Sequence, residues 1–196
     1  VKGTKGQLRD AGGIREQQVM IGPDGGSFPE ARFVPAPPGD QLRQGVEAWL
    51  DWVNSPDPDV PPVVRAALAH YQFETLHPFS DGNGRMGRLL IVLQLIQDGA
   101  LRDPLLIVSP WFERRRREYQ DALLAVSQTG EISPWVKFFS AGLEAQAIAT
   151  TQQVDELLAF QQELRDLVHS QPIRGTGARI AEDLIGEPII SANSAA

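Results

Sequence analysis

Residues 77–88 read HPFSDGNGRMGR and bring one histidine, one carboxylate, three glycines and two arginines into twelve positions. Gly82 and Gly84 allow the backbone to turn its N–H groups into a concave nest that accepts an anion. A helix that begins here would add unpaired N–H donors and the positive end of its dipole. Arg85 and Arg88 are three positions apart and therefore share one helix face. Two guanidinium groups beside such a nest indicate a site for several phosphates rather than for a single carboxylate.

Three polar side chains of the same segment could act on a bound polyphosphate. A lone carboxylate such as Asp81 is typical of a Mg²⁺ site in which the ion keeps water and shares phosphate oxygens. Asn83 could donate to a phosphate oxygen, and the neutral imidazole of His77 could accept a proton from an attacking hydroxyl. A base, a metal ligand and oxyanion donors around one polyphosphate predict phosphoryl or nucleotidyl transfer.

The spacing Gly82-x-Gly84-x-x-Gly87 also matches the dinucleotide-binding fingerprint. That fingerprint requires a buried parallel strand before it, whereas residues 66–76 (AALAHYQFETL) have helical spacing with polar residues interspersed. The two arginines of the segment also crowd the phosphate position. We therefore reject a Rossmann site, and no Walker A lysine loop is present.

A predicted β-hairpin precedes the segment. Residues 14–35 (IREQQVMIGPDGGSFPEARFVP) form two extended arms around the turn signal at 23–26. Val19 and Ile21 alternate on the first arm, as expected for a strand. The hairpin is expected at about 14–34, followed by a proline-rich linker.

Helices are expected through the rest of the chain. Asp40 is predicted to cap the first of them, and Pro61 and Pro62 suit the first turn of the second. That second helix should end before His77, because a residue that precedes proline disfavours α geometry. Further helices are predicted from Gly84 or Arg85 to about Gly99, from Ser109, and from Ser133 to about His169 as one helix or two.

The composition excludes several classes of protein. The chain has 196 residues, 42% of them hydrophobic, with a formal net charge of −7 and no cysteine. Disulfides and thiolate-bound zinc are therefore excluded, and a cytoplasmic location is expected. The negative charge argues against non-specific binding to nucleic acid or to an anionic membrane. No apolar run approaches the roughly 20 residues that a membrane span needs, so no membrane partner is expected.

The segment HPFSDGNGRMGR resembles the signature HPFx(D/E)GNGRxxR of the Fic family, Fic/Doc-type protein adenylyltransferases, and every specified position matches. The similarity extends over about residues 10–150: AGGIREQQVMIG and FVPAPP resemble the flap hairpin and its proline linker, and AHYQFETLHPF resembles the helix before the motif. The resemblance implies an all-α (mainly α) Fic fold, a helical bundle with a central motif loop between two helices and a β-hairpin flap.

The resemblance also implies an activity, the transfer of AMP from ATP to a Ser, Thr or Tyr hydroxyl of a target protein with release of pyrophosphate. His77 would be the general base and Asp81 the Mg²⁺ ligand. The flap residues Val19, Ile21 and Gly22 would align the target as an added strand. The phosphates would be held by Asn83 with the amides of Gly82 and Gly84, by Arg85 at the β-phosphate and by Arg88 at the γ-phosphate.

Alternatives stay open at this point. The chain could act mainly as a de-AMPylase, use another nucleotide donor, or be a non-catalytic nucleotide-binding regulatory module. Retention of Gly84 favours AMP transfer, since related kinases depart from the pattern there. The family often has a tyrosine and an Asn-Arg pair where this chain has Trp111 and Arg115-Arg116. The resemblance implies that these positions lie near the base and sugar of the nucleotide, so the identity of the donor is less secure than the chemistry. His70 is interpreted as a hydrogen-bonded core residue.

Two further expectations concern regulation and domain limits. Many Fic proteins carry an inhibitory (S/T)xxxE(G/N) helix whose glutamate pairs with the arginine equivalent to Arg88, and this chain does not contain that pattern. We expect such a glutamate on a missing segment or on a partner such as an antitoxin. The Fic domain is predicted at 13–170, after a flexible segment at 1–12. The tail at 171–196 resembles the truncated start of a winged-helix segment, and DNA binding by this fragment is not expected.

Overall fold

The computed structural model describes residues 12–22 and 27–170, and this part of the chain is mainly helical, as predicted. It contains six α-helices: α1 Asp40–Asn54, α2 Pro62–Leu76, α3 Asn83–Gln97, α4 Ser109–Arg114, α5 Arg116–Thr129 and α6 Ser133–Ser170. The described residues up to Gln146 form one compact unit, and those from Ala147 onward belong to a second. The site described below lies in the first unit. The expected tail at 171–196 and all but Gly12 of the expected segment at 1–12 lie outside the described residues.

Helix α2 is the central helix of the first unit and is buried on more than one side. Its small residues Ala66, Ala67 and Ala69 are almost completely buried and allow its neighbours to approach closely. One apolar cluster covers the side of α2 that faces α1, and it includes Leu42, Trp49, Val53, Ala69, Phe73 and Leu76. A second cluster, rich in aromatic rings, covers the other side with α3 to α6, and it includes Phe112, Tyr119, Trp135 and Phe139.

Two indole groups from opposite clusters donate hydrogen bonds to the backbone of α2. Trp49 Nε1 donates to the carbonyl of Ala69 at 2.9 Å, and Trp135 Nε1 donates to the carbonyl of Ala67 at 2.8 Å. A buried indole N–H requires a partner, and here both partners lie on the same turn of α2. The rotation and the register of α2 are therefore fixed from both sides.

The prediction of a regular β-hairpin at 14–34 is wrong, because the described residues contain no strand. A single antiparallel bridge joins Ile21 to Phe33. The returning arm instead folds into a 3₁₀ helix, Phe28–Glu30, which is stabilised by a capping box between Ser27 and Glu30. The side-chain amide of Gln18 donates to the backbone carbonyls of Val19 and Pro35 and so links the two arms near their base.

The helix boundaries follow the predictions closely, with small shifts. Asp40 is the first residue of α1 rather than its cap, which is Gly39 with φ 103°. Helix α3 begins one residue earlier than expected, at Asn83, and the stretch from Ser133 to Ser170 is one helix. No helix within the described residues is long and apolar enough to cross a membrane.

Candidate active site

His77 lies at the end of α2 in a left-handed conformation, with φ 49° and ψ 59°. Pro78 explains why the helix ends here, because a residue before proline disfavours the right-handed α region; such a residue usually becomes extended, so the left-handed conformation of His77 is not set by Pro78. A non-glycine residue in this region carries strain of about 1 kcal/mol or more. The surrounding contacts must therefore hold it, and the amide of His77 donates to the carbonyl of Phe73 at 2.9 Å.

Arg15 helps to hold the backbone of His77 and of its neighbours Leu76 and Pro78. Its side chain is 1% exposed, and its Nε donates to the carbonyl of His77 at 2.9 Å. The remaining guanidinium nitrogens donate to the carbonyls of Gln17, Ala36 and Leu76. The backbone N–H of Arg15 also donates to the carbonyl of Pro78 at 2.9 Å. One buried cation thus ties the base of the flap and the linker to the segment that carries His77.

The turn between α2 and α3 is closed by Asn83. Its Oδ1 accepts the backbone N–H of Phe79 at 2.9 Å, and its Nδ2 donates to the carbonyl of the same residue at 2.7 Å. Asn83 is 2% exposed, and Phe79 packs against the α1–α2 cluster. Asn83 therefore shapes the loop, while the second N–H of its amide group stays available to a ligand.

The first turn of α3 is the place where the sequence predicts that an anion binds. Gly82, with φ 84°, precedes the helix, and no side chain caps it, so the first amide groups have no intrahelical acceptor. Asp81 lies beside this turn, where its Oδ1 accepts the N–H of Gly82 at 2.7 Å. Its other oxygen is 3.6 Å from Nη2 of Arg85, and both side chains are about half exposed.

Arg88 lies one turn deeper and is held by residues of α4. Its Nε donates to Ser109 Oγ at 2.9 Å, and its Nη2 donates to Glu113 Oε1 at 2.8 Å. A Cβ atom at Gly84 would be 3.3 Å from Arg88 Nη1. Gly84 therefore allows the guanidinium group to lie close to the backbone of the motif.

These groups face one cavity of about 560 Å³, a size within the usual range for nucleotide-sized ligands. All seven predicted site residues of the motif line this cavity: His77, Asp81, Gly82, Asn83, Gly84, Arg85 and Arg88. Ile21 and Gly22 of the predicted flap also line the cavity, whereas Val19 does not. The walls on the far side come from α4 and α5, namely Phe112, Glu113, Arg116, Tyr119, Gln120, Leu123 and Leu124.

A group of buried titratable side chains lies next to His77, and two of them, Glu74 and Tyr119, also line the cavity. His70 is confirmed as a hydrogen-bonded core residue, with its ring nitrogens 3.1 Å from the carbonyl of Gly87 and 2.8 Å from the hydroxyl of Tyr119. Glu74 lies on the same helix, one turn after His70, and its Oε2 is 3.7 Å from Nδ1 of His77. Burial raises the pKa of Glu74 to about 7, although the charge of Arg88 and a hydrogen bond from Tyr119 act in the opposite direction.

Both histidines of this group are kept neutral by their surroundings. Burial lowers the pKa of His70 to about 4. Burial also lowers the pKa of His77 to about 4, with the charge of Arg15 acting in the same direction and the backbone carbonyl of Glu74 opposing it. A neutral imidazole at the cavity wall can accept a proton.

The sequence placed Trp111 and Arg115 wrongly and gave no indication of three of the four residues that were missed. Trp111 was expected near the nucleotide, but it is buried in the aromatic core, where the guanidinium of Arg115 lies 4.7 Å from its ring. Of that group only Arg116 lines the cavity. Glu74, Ser109, Glu113 and Tyr119 were missed, and only Glu74 carried a local signal, since it precedes His77 by three residues on the same helix.

Comparison with known proteins agrees with the motif. Residues 1–95 match the model of the Fic/DOC family. The chain is 34% identical over 137 residues to "Protein adenylyltransferase fic-1" of Caenorhabditis elegans, covering 69% of this chain and 24% of that protein. It is 36% identical over 132 residues to "Protein adenylyltransferase Fic" of Aedes aegypti, covering 67% of this chain and 23% of that protein.

A solved structure gives the same result at the level of the fold. The crystal structure of a Fic family protein from Desulfovibrio desulfuricans G20 superposes with a TM-score of 0.61 and 31% sequence identity, covering 81% of this chain and 47% of that one. The family model, the curated relatives and this structure together show that the chain belongs to the Fic/DOC family. The chain spans about a quarter of the length of the curated relatives it matches.

Proposed function

We propose that this chain is a protein adenylyltransferase that transfers AMP from ATP to a hydroxyl side chain of a target protein. The observation that carries the proposal is the shared cavity, in which His77 faces the uncapped first turn of α3 and the two arginines of the motif. An unpaired helix start and two guanidinium groups suit a triphosphate. The names of the relatives, protein adenylyltransferases, support the same reaction.

In this proposal, each group of the motif has one task. The amides of Gly82 and Gly84 and the free N–H of Asn83 stabilise the negative charge that develops on the α-phosphate. Arg85 binds at the β-phosphate, and Arg88 binds the γ-phosphate and so orients the chain of phosphates. His77 accepts the proton of the target hydroxyl while its oxygen attacks the α-phosphorus and pyrophosphate leaves.

Asp81 would hold a magnesium ion in the same site. Within the part of the chain that the structure describes, no group of three or more possible metal ligands occurs. A single half-exposed carboxylate nevertheless fits Mg²⁺, which usually keeps several waters and takes its other ligands from substrate phosphates. Such an ion supplies charge neutralisation at the phosphate oxygens, and Arg85, 3.6 Å from Asp81, would have to turn toward the phosphates when it binds.

The flap would align the target protein. Ile21 and Gly22 line the cavity next to the motif, and the single bridge between Ile21 and Phe33 leaves neighbouring backbone groups unpaired in a ladder. An extended target segment could form backbone hydrogen bonds with the residues next to this bridge, as in β-strand addition. An ion pair between Arg32 and Asp121 of α5 holds the returning arm in place for such a contact.

We also propose that a glutamate from another segment, or from an antitoxin, inhibits the enzyme by pairing with Arg88. Arg88 already binds one carboxylate, that of Glu113, which indicates that its guanidinium is accessible to an anion at the cavity wall. A further carboxylate there would occupy the proposed γ-phosphate position.

The test is a transfer assay with ATP labelled on either the α- or the γ-phosphate, using wild type, His77→Ala and a candidate target protein. Label should reach protein only from the α position, and loss of the imidazole should reduce the rate about 10²- to 10⁴-fold. Label from the γ position alone would mean a kinase. Label from neither position, with ATP still bound, would refute catalysis and favour a nucleotide-binding regulatory role.

A further inference from the structure

Glu74 lies beside the imidazole of His77, and both residues line the cavity. The carboxylate is buried, with a side chain 9% exposed, and its Oε2 is 3.7 Å from His77 Nδ1. Nδ1 of His77, one of the two atoms of this contact, is buried without a hydrogen-bond partner among the described residues, and so is Oε1, the other oxygen of the Glu74 carboxylate. Buried polar atoms in this state are rare in folded proteins, and they often mark a functional site.

The surroundings hold this carboxylate in place from several sides. A Cβ atom at Gly87 would be 2.6 Å from Glu74 Oε1, so glycine at this position leaves the space that the carboxylate occupies. The hydroxyl of Tyr119 interacts with Glu74 and also lies 2.8 Å from His70 Nε2. The position of Glu74 is thus set by α2, α3 and α5 together, as is usual for a group that orients another.

We propose that Glu74 is a positioning residue for His77: its carboxylate accepts the Nδ1–H of the imidazole, fixes the tautomer in which Nε2 is free, and balances the charge of the imidazolium. This inference rests on the function proposed above. Nδ1 is buried and His77 lines the cavity, so Nε2 is the nitrogen left to face a substrate. A contraction of the 3.7 Å separation by less than 1 Å would complete the hydrogen bond.

The proton balance of the step is then complete. The O–H bond of the target breaks as its proton passes to Nε2, the oxygen forms a bond to the α-phosphorus, and the bond from that phosphorus to the pyrophosphate oxygen breaks. The imidazolium keeps both protons, one shared with Glu74, until Nε2 releases its proton to solvent after the products leave. Glu74 gains no proton in this sequence, and it acts as a hydrogen-bond acceptor and counter-charge.

Burial gives this pair a titration near neutral pH, since the pKa of Glu74 is raised to about 7. The charged and titratable groups that face the pair are Arg15 from the flap base, Arg88 from α3, Tyr119 from α5 and His70 from α2. Two interacting groups titrate as a unit. The ring signals of His77 should therefore respond when Glu74 ionises, and the imidazole should be a better base once it has.

One rival acceptor exists for the Nδ1 proton, namely the backbone carbonyl of Glu74, which also acts on the pKa of His77. A substitution of the side chain separates the two, because Glu74→Gln leaves the carbonyl in place. The isosteric amide keeps the volume of the buried group but cannot carry a negative charge. Glu131→Gln, on the exposed turn before α6, provides the matched control.

The experiment has two readouts, one of which does not depend on activity. In the NMR titration of the imidazole signals, assigned with His77→Ala, the wild type and Glu131→Gln should show an inflection of His77 near pH 7. Glu74→Gln should lack it. An absent inflection in the wild type, or an inflection kept in Glu74→Gln, would overturn the proposal even if AMP transfer itself could not be detected.

The second readout is the dependence of kcat/KM on pH, which reports ionisations of the free enzyme. AMP transfer by the wild type should increase through the ionisation near pH 7, whereas Glu74→Gln should be about tenfold slower or more and should lack this step. Glu74→Asp, which keeps the charge, should retain the step at a lower rate, and it serves as the test if the amide variant does not fold. Equal profiles for Glu74→Gln and the control, or loss of the step in Glu74→Asp, would contradict the role.

Discussion

Replacement of Arg15 by methionine tests how the left-handed residue before Pro78 is held in place. Arg15 is 1% exposed and donates to backbone carbonyls of His77, Gln17 and Ala36, with a longer contact to Leu76 at 3.4 Å. Methionine is unbranched and apolar and has a volume close to that of arginine, although it is shorter, so the variant removes the charge and the donors with little change in volume. The carbonyl groups are then left without their partner in a buried place.

The magnitude follows from these contacts. A hydrogen bond from a charged donor contributes roughly 1.5–3 kcal/mol, and an unsatisfied buried group costs about 1–3 kcal/mol. Burial of the guanidinium itself is unfavourable, as the lowered pKa of Arg15 indicates, and the variant no longer bears that cost. We therefore expect Arg15→Met to lower the free energy of unfolding by about 2–4 kcal/mol.

The assay is urea denaturation followed by tryptophan fluorescence, with Arg43→Met as the matched control. Arg43 lies on the surface of α1, where it pairs with Asp40 and is 55% exposed, so its loss should change stability by no more than about 0.5 kcal/mol. Arg15→Met should also lower AMP transfer under conditions in which the variant is fully folded, because the backbone of His77 loses its support. If the two methionine variants unfold at the same urea concentration, our account of how His77 is held is wrong.

Two further predictions concern charge. Glu113→Gln removes the carboxylate that binds Arg88 and should strengthen ATP binding about 2- to 5-fold in calorimetry; an equal gain for ADP, which lacks the γ-phosphate, would contradict the proposed position of that phosphate. Stability should also depend on pH with opposite signs for two groups. For His70 and His77, whose pKa values are lowered to about 4, stability is full above about pH 6.5 and is lost as pH falls toward 4. For Glu74, whose pKa is raised to about 7, the contribution is full below about pH 4.5 and is lost as pH rises to 7, so Glu74→Gln should gain up to about 3 kcal/mol relative to wild type across that interval in urea denaturation. A constant difference between the two proteins across this range would mean that Glu74 has an ordinary pKa.

The sequence was sufficient to predict the features that depend on near neighbours. His77 before Pro78, Gly82 before a helix, and Arg85 and Arg88 on one face are all local relations, and the structure brings these residues to one cavity. The helical fold follows from the same kind of pattern, since prolines and glycines mark the starts and ends of α2 and α3.

Contacts between distant segments could not be predicted in this way. Ser109 and Glu113 bind Arg88 across 21 and 25 residues of chain, and no spacing in the sequence indicates either contact. The alternation of Val19 and Ile21 predicted a regular hairpin. That pattern contains no information about the other arm, where Ser27 and Glu30 cap a 3₁₀ helix. Trp111 was placed at the nucleotide by similarity alone, whereas Gly142 leaves room for its ring in the core.

The two indole hydrogen bonds to α2 have a consequence for how the protein could change shape. A shift of α2 by one residue turns it by about 100°, which would carry the carbonyls of Ala67 and Ala69 away from both donors and leave two indole N–H groups buried without acceptors. Sliding or rotation of α2 therefore costs free energy. The two tryptophans, which lie outside the motif, fix the orientation of the helix end from which His77 projects. Any change that switches the proposed activity on or off is then expected to move the flap or the arginines around a stationary imidazole.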